Sequence, residues 1–214
     1  MEWTSNQLIQ PLIKREAGFI LITGIPTNLW IALIVLATLS LLFYLLWVVV
    51  PIVAGLPWRP TSSKRIRRAL EMARVQPGEM LFDLGSGDGR VLVMAAREYR
   101  AIAVGIEISP LHCQVSRFLA WVNGVTDLVS IRRTDFYSAD LEAADVVFAY
   151  MTSMQVARLR PHLERQLKAG ARVVTISFDM DGWEPQAVDR DQLIFIYQMP
   201  PQLGNLETFL GKNL

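Results

Sequence analysis

The segment from Met80 to Arg90 constrains the fold of this chain more than any other feature. Four residues, Met80–Asp83, are typical of a short buried strand that ends in an acid. Glycines at alternate positions and a helical apolar pattern follow: Gly85, Gly87, Gly89 and Val91–Ala96. Glycine tolerates positive φ, and a helix N-terminus offers unpaired N–H groups with a partial positive charge. A strand, a glycine turn and a helix in this order predict a ligand cradle.

The glycine spacing indicates which ligand this cradle suits. A dinucleotide fingerprint would need its third glycine where Arg90 stands, and the Gly-Lys-Ser/Thr ending of a phosphate loop is absent. Asp83 lies two residues before the loop Gly85-Ser86-Gly87-Asp88-Gly89, so its carboxylate suits an ammonium group while the loop N–H groups suit a carboxylate. The loop therefore predicts a site for the methionine end of S-adenosylmethionine, with a plain strand-to-helix turn as the alternative.

Two further acids stand at the ends of the next predicted strands. Glu107 ends the second strand, where a carboxylate can accept hydrogen bonds from both hydroxyls of a ribose, and Ile108 is expected to pack on an adenine ring. Asp135 follows the third strand, where it suits the adenine amino group, and the backbone N–H of Phe136 suits a ring nitrogen. A solvated strand end for Glu107 and a turn role for Asp135 are the alternatives.

Strand and helix patterns alternate from residue 77 onward, which predicts an open, mostly parallel sheet with helices on both faces. Ligands of such sheets bind at the carboxyl ends of the strands. The predicted strands are Met80–Asp83, Ala101–Glu107, Leu128–Arg133, Ala144–Tyr150 and Ala171–Phe178. A closing antiparallel pair is expected from Leu193–Gln198 and Leu206–Leu210.

Composition narrows the possible partners. A net charge of +1 implies no general affinity for nucleic acid. Cys113 is the only cysteine, so an intrachain disulfide is impossible, and no metal site is predicted. His112 and His162 fall on predicted helices without a partner that suggests catalysis, and we expect both at the surface.

The apolar residues are concentrated near the N-terminal end. No charged residue lies between Glu16 and Arg59, and within this stretch Leu29–Val50 is almost entirely aliphatic and aromatic. A membrane-spanning helix needs about 20 apolar residues, and Trp30 and Trp47, about 26 Å apart along a helix, suit the two interfaces of a bilayer. The pattern predicts a transmembrane helix over residues 29–53, in preference to a buried core helix or a cleaved signal peptide.

The charges that flank this stretch predict its orientation. Lys14 and Arg15 precede it, whereas five basic residues follow it: Arg59, Lys64, Arg65, Arg67 and Arg68. The positive-inside rule therefore predicts a cytoplasmic C-terminal domain. We expect four segments: an N-terminal segment (1–28), the transmembrane helix (29–53), a linker with a pre-domain helix (54–76) and an α/β domain (77–214). The basic residues of the pre-domain helix either contact anionic headgroups or form a solvated face.

With these features the chain resembles class I S-adenosylmethionine-dependent methyltransferases from Pro57 to its C-terminus. Within that class it is most similar to the membrane-anchored protein-lysine N-methyltransferases, which include those of the ATP synthase c-subunit and the adenine nucleotide translocase. The resemblance rests on the single anchor and on several motifs: Pro57, Pro60 and Thr61; Gly85-Ser86-Gly87-Asp88-Gly89-Arg90; Gly105 and Glu107; Pro110; Ala120-Trp121; Gly124-Val125; Asp135; and Trp183-Glu184-Pro185. The glycine motif is common to many methyltransferases, whereas the anchor and the late Trp-x-Pro are more discriminating.

The resemblance implies a Rossmann-like, seven-stranded methyltransferase domain over residues 77–214, with S-adenosylmethionine as its cofactor. It also implies a membrane-associated protein substrate that is methylated on a lysine side chain. A methyltransferase for a lipid or quinone-like molecule and an inactive cofactor-binding scaffold are the alternatives. Eukaryotic members are mitochondrial. Because this chain lacks an Arg-rich leader, we expect a bacterial plasma membrane, or the mitochondrial inner membrane if the source is eukaryotic.

The catalytic residues stay unassigned. Methyltransferases that modify adenine or glutamine amides have Asn/Asp-Pro-Pro-Tyr after the fourth strand, where this chain has Ala149-Tyr150-Met151-Thr152. This difference argues against those acceptors. Tyr150 is a candidate to contact an amine through its hydroxyl or its ring face, with core packing as the alternative. Asp179 and Trp183 are candidates for the rim of the acceptor site.

Overall fold

The computed structural model describes residues 26–53 and 61–212, with side chains at 26–45 and 61–212. The chain divides into two compact units between Arg59 and Pro60, and each is described by itself. Most of the predicted N-terminal segment lies outside the described residues, as does the side chain of Trp47.

The first unit contains helix α1, Thr27–Val53, which has no charged residue. Every described side chain on this helix is exposed, which argues against a role as the core helix of a globular domain. By length and composition, Thr27–Leu45 is the one candidate for a membrane span among the described residues.

The second unit is an α/β domain. Its strands are β1 (Met80–Leu84), β2 (Ile102–Glu107), β3 (Val129–Arg133), β4 (Val146–Ala149), β5 (Arg172–Ile176), β6 (Trp183–Glu184), β7 (Ala187–Asp189), β8 (Ile194–Gln198) and β9 (Gln202–Leu203). Its helices are α2 (Ser63–Met72), α3 (Arg90–Tyr99), α4 (Pro110–Val122), α5 (Ser153–Gln166) and α6 (Leu206–Lys212), with a 3-10 helix at Phe136–Ser138.

Seven strands form the main sheet, in the order β3-β2-β1-β4-β5-β8-β7. Strands β1 to β5 run parallel, and β8 is antiparallel to both of its neighbours. The strand order reverses at β1, which lies between β2 and β4, and open α/β sheets bind ligands at such a switch point. The predicted seven-stranded, mostly parallel sheet is confirmed.

Apolar side chains on both faces bury the sheet between helices. On one face, Ile66 and Leu70 of α2 and Leu92 of α3 pack against strand residues. On the other face, Leu159 and Leu163 of α5 do so. Ser62 caps α2, because its hydroxyl accepts a hydrogen bond from the N–H of Arg65 at 3.4 Å.

The C-terminal end differs from the predicted strand pair. β8 pairs with β5 and β7, whereas Leu206–Lys212 forms α6 rather than a strand. Asn205 precedes this helix, and its Oδ1 accepts hydrogen bonds from both N and Oγ1 of Thr208 at 2.8 Å. The prediction is wrong because the N-cap chemistry of Asn205 outweighs a short apolar alternation.

Candidate functional site

The first three predicted site elements meet at the carboxyl edge of the sheet. Asp83 on β1 is in register with Gly105 on β2, and Glu107 at the end of β2 is in register with Arg133 on β3. The backbone N–H groups of Gly85 and Ser86 both donate to the carbonyl oxygen of Ile106, at 2.8 and 3.1 Å. The loop after β1 is therefore fixed against the end of β2.

Gly89 allows the loop to pack tightly on helix α4. Its φ is 80°, in the left-handed region, and a Cβ there would lie 2.6 Å from Oγ of Ser116. The buried Ser116 hydroxyl donates to the carbonyl oxygen of Gly87 at 2.9 Å. Ser116 thus holds the glycine loop from behind. This role was not predicted from the sequence, although Ser116 is a polar residue between the buried positions Cys113 and Ala120.

Ser86 is the orphaned polar group of the loop. Its Oγ is buried and has no hydrogen-bond partner within residues 26–53 and 61–212. Gly105 makes room for it, because a Cβ at Gly105 would lie 2.7 Å from this oxygen and 2.6 Å from Cδ1 of Leu92. An unsatisfied buried hydroxyl costs free energy, so a ligand that hydrogen-bonds to Ser86 would gain from it.

Asp83 is buried, with only 4% of its surface exposed. Burial, together with the negative charges of Glu107 and Asp88, raises its pKa to about 8. A cationic ligand group beside this carboxylate would favour its ionised form. A buried acid whose surroundings disfavour its negative charge in this way suits the ammonium group predicted from the sequence.

Glu107 is fixed by the backbone on both sides. Its Oε2 accepts from the N–H of Gly87 at 2.9 Å, and its Oε1 accepts from the N–H of Ser109 at 2.8 Å. Nδ1 of His112 lies 4.0 Å from Oε1. Each carboxylate oxygen has a further lone pair for a ligand hydroxyl. Glu107 is thus a structural link between the glycine loop and β2 as well as a candidate acceptor for a ribose.

The predicted adenine residues lie at the open end of the site. Asp135 caps the short 3-10 helix, because its Oδ1 accepts from the N–H of Tyr137 at 3.0 Å, so it does serve as a turn residue. Phe136 is half-buried, and its ring centroid lies 4.4 Å from that of Tyr137. Ile108 is 56% exposed, which leaves its side chain accessible to a flat apolar ring.

Arg90 ties the loop to the segment that precedes α2. Its Nε donates to Oδ1 of Asp88 at 2.9 Å, and its Nη1 donates to the carbonyl oxygen of Thr61 at 3.0 Å. Thr61 is itself buried. In the sequence, Arg90 excludes a dinucleotide fingerprint and is the last residue of the glycine motif. The hydrogen bond from Arg90 to Thr61 was not predicted.

Two predictions are wrong: that Trp183 lies on the rim of the acceptor site, and that His112 and His162 are surface residues. Trp183 is buried rather than on a rim, since its Nε1 donates to Oε1 of Glu164 at 3.0 Å and its ring meets Tyr197 edge-on at 5.7 Å. His112 lies near Glu107 and His162 Nε2 is 2.8 Å from the carbonyl oxygen of Ala139, so neither is a plain surface residue.

Asp179 is exposed, as a rim residue would be. Tyr150 is half-buried, and the guanidinium of Arg65 lies 5.7 Å from its ring centroid, so that a cation already occupies one ring face. Within the part of the chain that the structure describes, no group of three His, Cys, Asp or Glu side chains could hold a metal ion.

A mostly parallel sheet with this strand order, a glycine loop after β1 and acids at the ends of β1 and β2 define a class I S-adenosylmethionine-dependent methyltransferase. Solved structures agree. The RNA methyltransferase from Salinibacter ruber, in complex with S-adenosyl-L-homocysteine, matches with a TM-score of 0.66 at 39% identity, covering 69% of this chain and 97% of that chain. A SAM-dependent methyltransferase from Geobacter sulfurreducens with the same ligand gives 0.50 at 25% identity, covering 62% and 53%.

The family model of the ANTKMT methyltransferase domain matches residues 83–187, a span that contains every predicted cofactor residue. The protein-lysine N-methyltransferase of Saccharolobus islandicus is 37% identical over 137 residues, which are 64% of this chain and 85% of that protein. The human lysine N-methyltransferase of the ATP synthase c-subunit is 30% identical, covering 84% of this chain and 73% of that protein. The mouse adenine nucleotide translocase lysine N-methyltransferase is 32% identical, and this chain spans 60% of it. The chain belongs to the family of these protein-lysine N-methyltransferases, and S-adenosylmethionine is its cofactor.

Proposed function

We propose that this protein methylates the side-chain amine of a lysine on a membrane-associated protein. The observation that supports the acceptor class is the likeness to an archaeal protein-lysine N-methyltransferase at 37% identity over 85% of that protein's length. Relatives that act on the ATP synthase c-subunit and the adenine nucleotide translocase support a substrate at a membrane.

Different residues at the carboxyl edge of the sheet are assigned to different parts of the cofactor. S-adenosylmethionine, when bound, supplies an electrophilic methyl group on its sulfonium sulfur. Asp83 holds the ammonium group in the buried end of the site. The Ser86 hydroxyl is assigned to the carboxylate, because the N–H groups of Gly85, Ser86 and Gly87 already donate within the protein. Gly85 and Gly87, which flank Ser86, let the ligand carboxylate approach the backbone closely.

The nucleoside end is assigned to the next two strand ends. Glu107 accepts from the ribose hydroxyls with the lone pairs that its backbone contacts leave. Ile108 packs on the adenine ring, Asp135 accepts from its amino group and the N–H of Phe136 faces a ring nitrogen. Because Asp135 already accepts from Tyr137, its carboxylate is held in place for this contact.

The acceptor lysine approaches over β4 and β5, beside the end of β1. A lysine ammonium has no lone pair to attack with, and its ordinary pKa is about 10.4. Removal from water and a nearby positive charge both lower the pKa of an amine. Arg65, held over Tyr150 at the end of β4, supplies such a charge at this edge. The protein thus contributes mainly orientation and a deprotonated nucleophile.

Helix α1 is proposed to tether the enzyme as a single transmembrane helix. Its uncharged sequence and exposed apolar side chains suit a lipid environment. The basic residues after it favour a cytoplasmic methyltransferase domain over residues 77–214, with 54–76 as linker and pre-domain helix. In a bacterium this is the plasma membrane, and in a eukaryote the mitochondrial inner membrane.

One experiment tests the acceptor. Membranes from a strain that lacks this protein are incubated with the purified full chain and tritiated S-adenosylmethionine, and the label is followed into protein, organic extract and RNA. The proposal expects label in a protein band and, after hydrolysis, in methyllysine. The Glu107→Ala variant is the control for enzyme dependence. Label confined to the organic extract would favour the lipid alternative, and cofactor binding without any transfer would favour the scaffold.

A nucleic-acid acceptor is the second candidate, because the Salinibacter ruber structure at 39% identity is that of an RNA methyltransferase. The near-neutral charge of this chain argues against it, since RNA-binding proteins usually present an excess of positive charge. Label that resists protease and is released by ribonuclease would establish this candidate instead.

A further inference from the structure

Helix α4 presents an exposed apolar surface that the proposed chemistry does not use. Phe118 and Trp121 are 59% and 68% exposed, and their ring centroids lie 5.9 Å apart. Val122 beside them is also exposed. Arg117 shares this side of the helix, because it precedes Trp121 by one turn. We name these four residues the aromatic face. Such a contiguous apolar patch on a soluble domain usually marks an interaction surface.

The charges around the aromatic face are positive. Neither α4 nor the neighbouring edge strand β3 contains an acidic residue, whereas β3 adds the exposed Arg133, which alternates onto the same sheet face as Val129 and Ile131. Arg117 connects the two elements, since its Nη2 donates to the carbonyl oxygen of Ile131 at 3.1 Å. The acids nearest in sequence, Asp127 and Asp135, lie outside both elements.

The basic helix α2 offers a poorer surface for an anionic partner. Arg67 pairs with Glu98 at 2.7 Å, and Arg68 pairs with Asp189 at 2.8 Å. Arg65 donates to the carbonyl oxygen of Gln192 and to the hydroxyl of Ser177. The positive charge of α2 is therefore largely engaged within the domain.

We infer that the aromatic face rests on the headgroup region of an anionic bilayer and forms a second membrane contact of the methyltransferase domain. Tryptophan and phenylalanine are enriched at membrane interfaces, and arginine beside them is attracted to an anionic surface. The inference deepens the proposed function and rests on its membrane tether. A single tether does not fix the orientation of the domain on the bilayer, whereas a second contact through the aromatic face would fix it.

A fluorescent label on α4 tests the contact in the full chain. Gln114→Cys places a nitrobenzofurazan label on the exposed side of the helix, seven residues before Trp121. The parent chain controls for the buried native Cys113, and Leu203→Cys gives a matched label at an exposed apolar position on β9. Each labelled chain is reconstituted in nanodiscs of neutral lipid or of neutral and anionic lipid in equal parts, with a spin-labelled lipid as quencher.

We expect the label at position 114 to be quenched about twofold or more beyond the label at position 203 in anionic discs, and less in neutral discs or high salt. Phe118→Ser with Trp121→Ser should abolish the excess quenching and leave cofactor affinity, measured by calorimetry, unchanged. Equal quenching at both positions, or quenching that persists in the double variant, would overturn the inference.

Two other outcomes are distinguishable. If the double variant loses methylation of a purified acceptor protein in detergent without lipid, the aromatic face binds protein and the lipid inference is wrong. If the parent chain fails to enter discs, the proposed tether fails. The aromatic face is then tested by flotation with anionic and neutral vesicles, where no preference for anionic vesicles would overturn it.

Discussion

The two halves of the carboxyl edge are built differently. Over β1 and β2, buried acids and backbone groups are joined in one network: Glu107 accepts from Gly87, and Ser116 donates to Gly87 from the other side. Over β4 and β5, a long side chain from another element contributes part of the contacts. Arg65 reaches Ser177 at 3.1 Å and lies over Tyr150 at 5.7 Å.

This difference matches what each half has to bind. Under the proposed function, the half over β1 and β2 (the cofactor half) binds S-adenosylmethionine and the half over β4 and β5 (the acceptor half) binds the lysine. The polar groups of the cofactor half are backbone groups and buried carboxylates joined by hydrogen bonds. In the acceptor half, Ser177 has a φ of 73°, a left-handed conformation that costs energy for a residue with a side chain. Its N–H donates to the carbonyl oxygen of Leu193 at 2.8 Å. The following experiments test whether the backbone network fixes the cofactor half and whether single side chains determine binding in the acceptor half.

The largest effect is expected from the acids of the cofactor half. Glu107→Ala removes the proposed ribose acceptor and leaves the N–H groups of Gly87 and Ser109 without their partner. Loss of a charged hydrogen-bonding group costs about 2–3 kcal/mol, so S-adenosylmethionine affinity should fall roughly 30- to 150-fold. Asp83→Ala should also weaken binding substantially. Calorimetry measures both.

Glu184→Ala is the matched control, because this acid on β6 pairs with Lys212 and has no proposed role in the site. Its affinity for S-adenosylmethionine should equal that of the parent. Unchanged affinity in both Asp83→Ala and Glu107→Ala would refute the cofactor assignment.

The close contact between Gly89 and Ser116 tests whether the cofactor half is rigid. Gly89→Ala combines a left-handed φ of 80° with a Cβ that would lie 2.6 Å from Ser116. Strain of the left-handed conformation alone costs about 1–2 kcal/mol, and the overlap adds to it. Gly78→Ala is the control, since its φ is 81° but nothing lies within 4 Å of the added Cβ. Denaturant unfolding compares the two variants.

Gly89→Ala should lose more stability than Gly78→Ala, and Ser116→Gly in the same chain should restore part of the difference. Equal losses in the two alanine variants would show that the loop can move away from α4. The rigid description of the cofactor half would then be wrong.

The local structure over β1 and β2 was largely predictable, whereas that over β4 and β5 was not, and the cofactor contacts of these residues stay a prediction. Asp83, Glu107 and the glycine loop could be identified because strand ends and positive-φ glycines leave local signals in the sequence. Ser116 and Trp183 depend on which distant element packs on them, and no local spacing reports that Trp183 lies against Glu164 and Tyr197. The parallel strands were predictable because their apolar runs are also local signals. Helix α6 was predicted as a strand because the only local signal for the helix is its N-cap residue, Asn205.

The protonation of Asp83 predicts a pH dependence of both stability and binding. Its pKa rises from an ordinary 3.8 to about 8 in the ligand-free fold, so the unfolded chain has already lost this proton where the folded chain still holds it. Stability of the ligand-free protein should therefore fall as pH rises between these values, and Asp83→Asn should remove that slope. Melting temperatures at pH 5 and 8 compare the two chains.

Binding should show the opposite trend. The ionised carboxylate is the form that suits an ammonium group, so S-adenosylmethionine affinity should be about tenfold weaker at pH 6.5 than at pH 8. Asp83→Asn should bind weakly with little dependence on pH over this range. If the affinity of the parent chain for S-adenosylmethionine did not change between pH 6.5 and pH 8, the proposed contact between Asp83 and the cofactor ammonium would be wrong.

The smallest effect is expected in the acceptor half. Tyr150→Phe keeps the ring under Arg65 and removes only the hydroxyl, so cofactor affinity should stay within about twofold of the parent. If the hydroxyl contacts the acceptor amine, KM for the acceptor should rise about threefold to tenfold, the cost of one neutral hydrogen bond. Steady-state methylation of a purified acceptor separates KM from kcat. If Tyr150→Phe weakened cofactor binding as much as Glu107→Ala, the separation of a cofactor half from an acceptor half would be wrong. Tyr150 would then contribute to cofactor binding together with the residues over β1 and β2. An unchanged KM would instead assign Tyr150 to packing beneath Arg65.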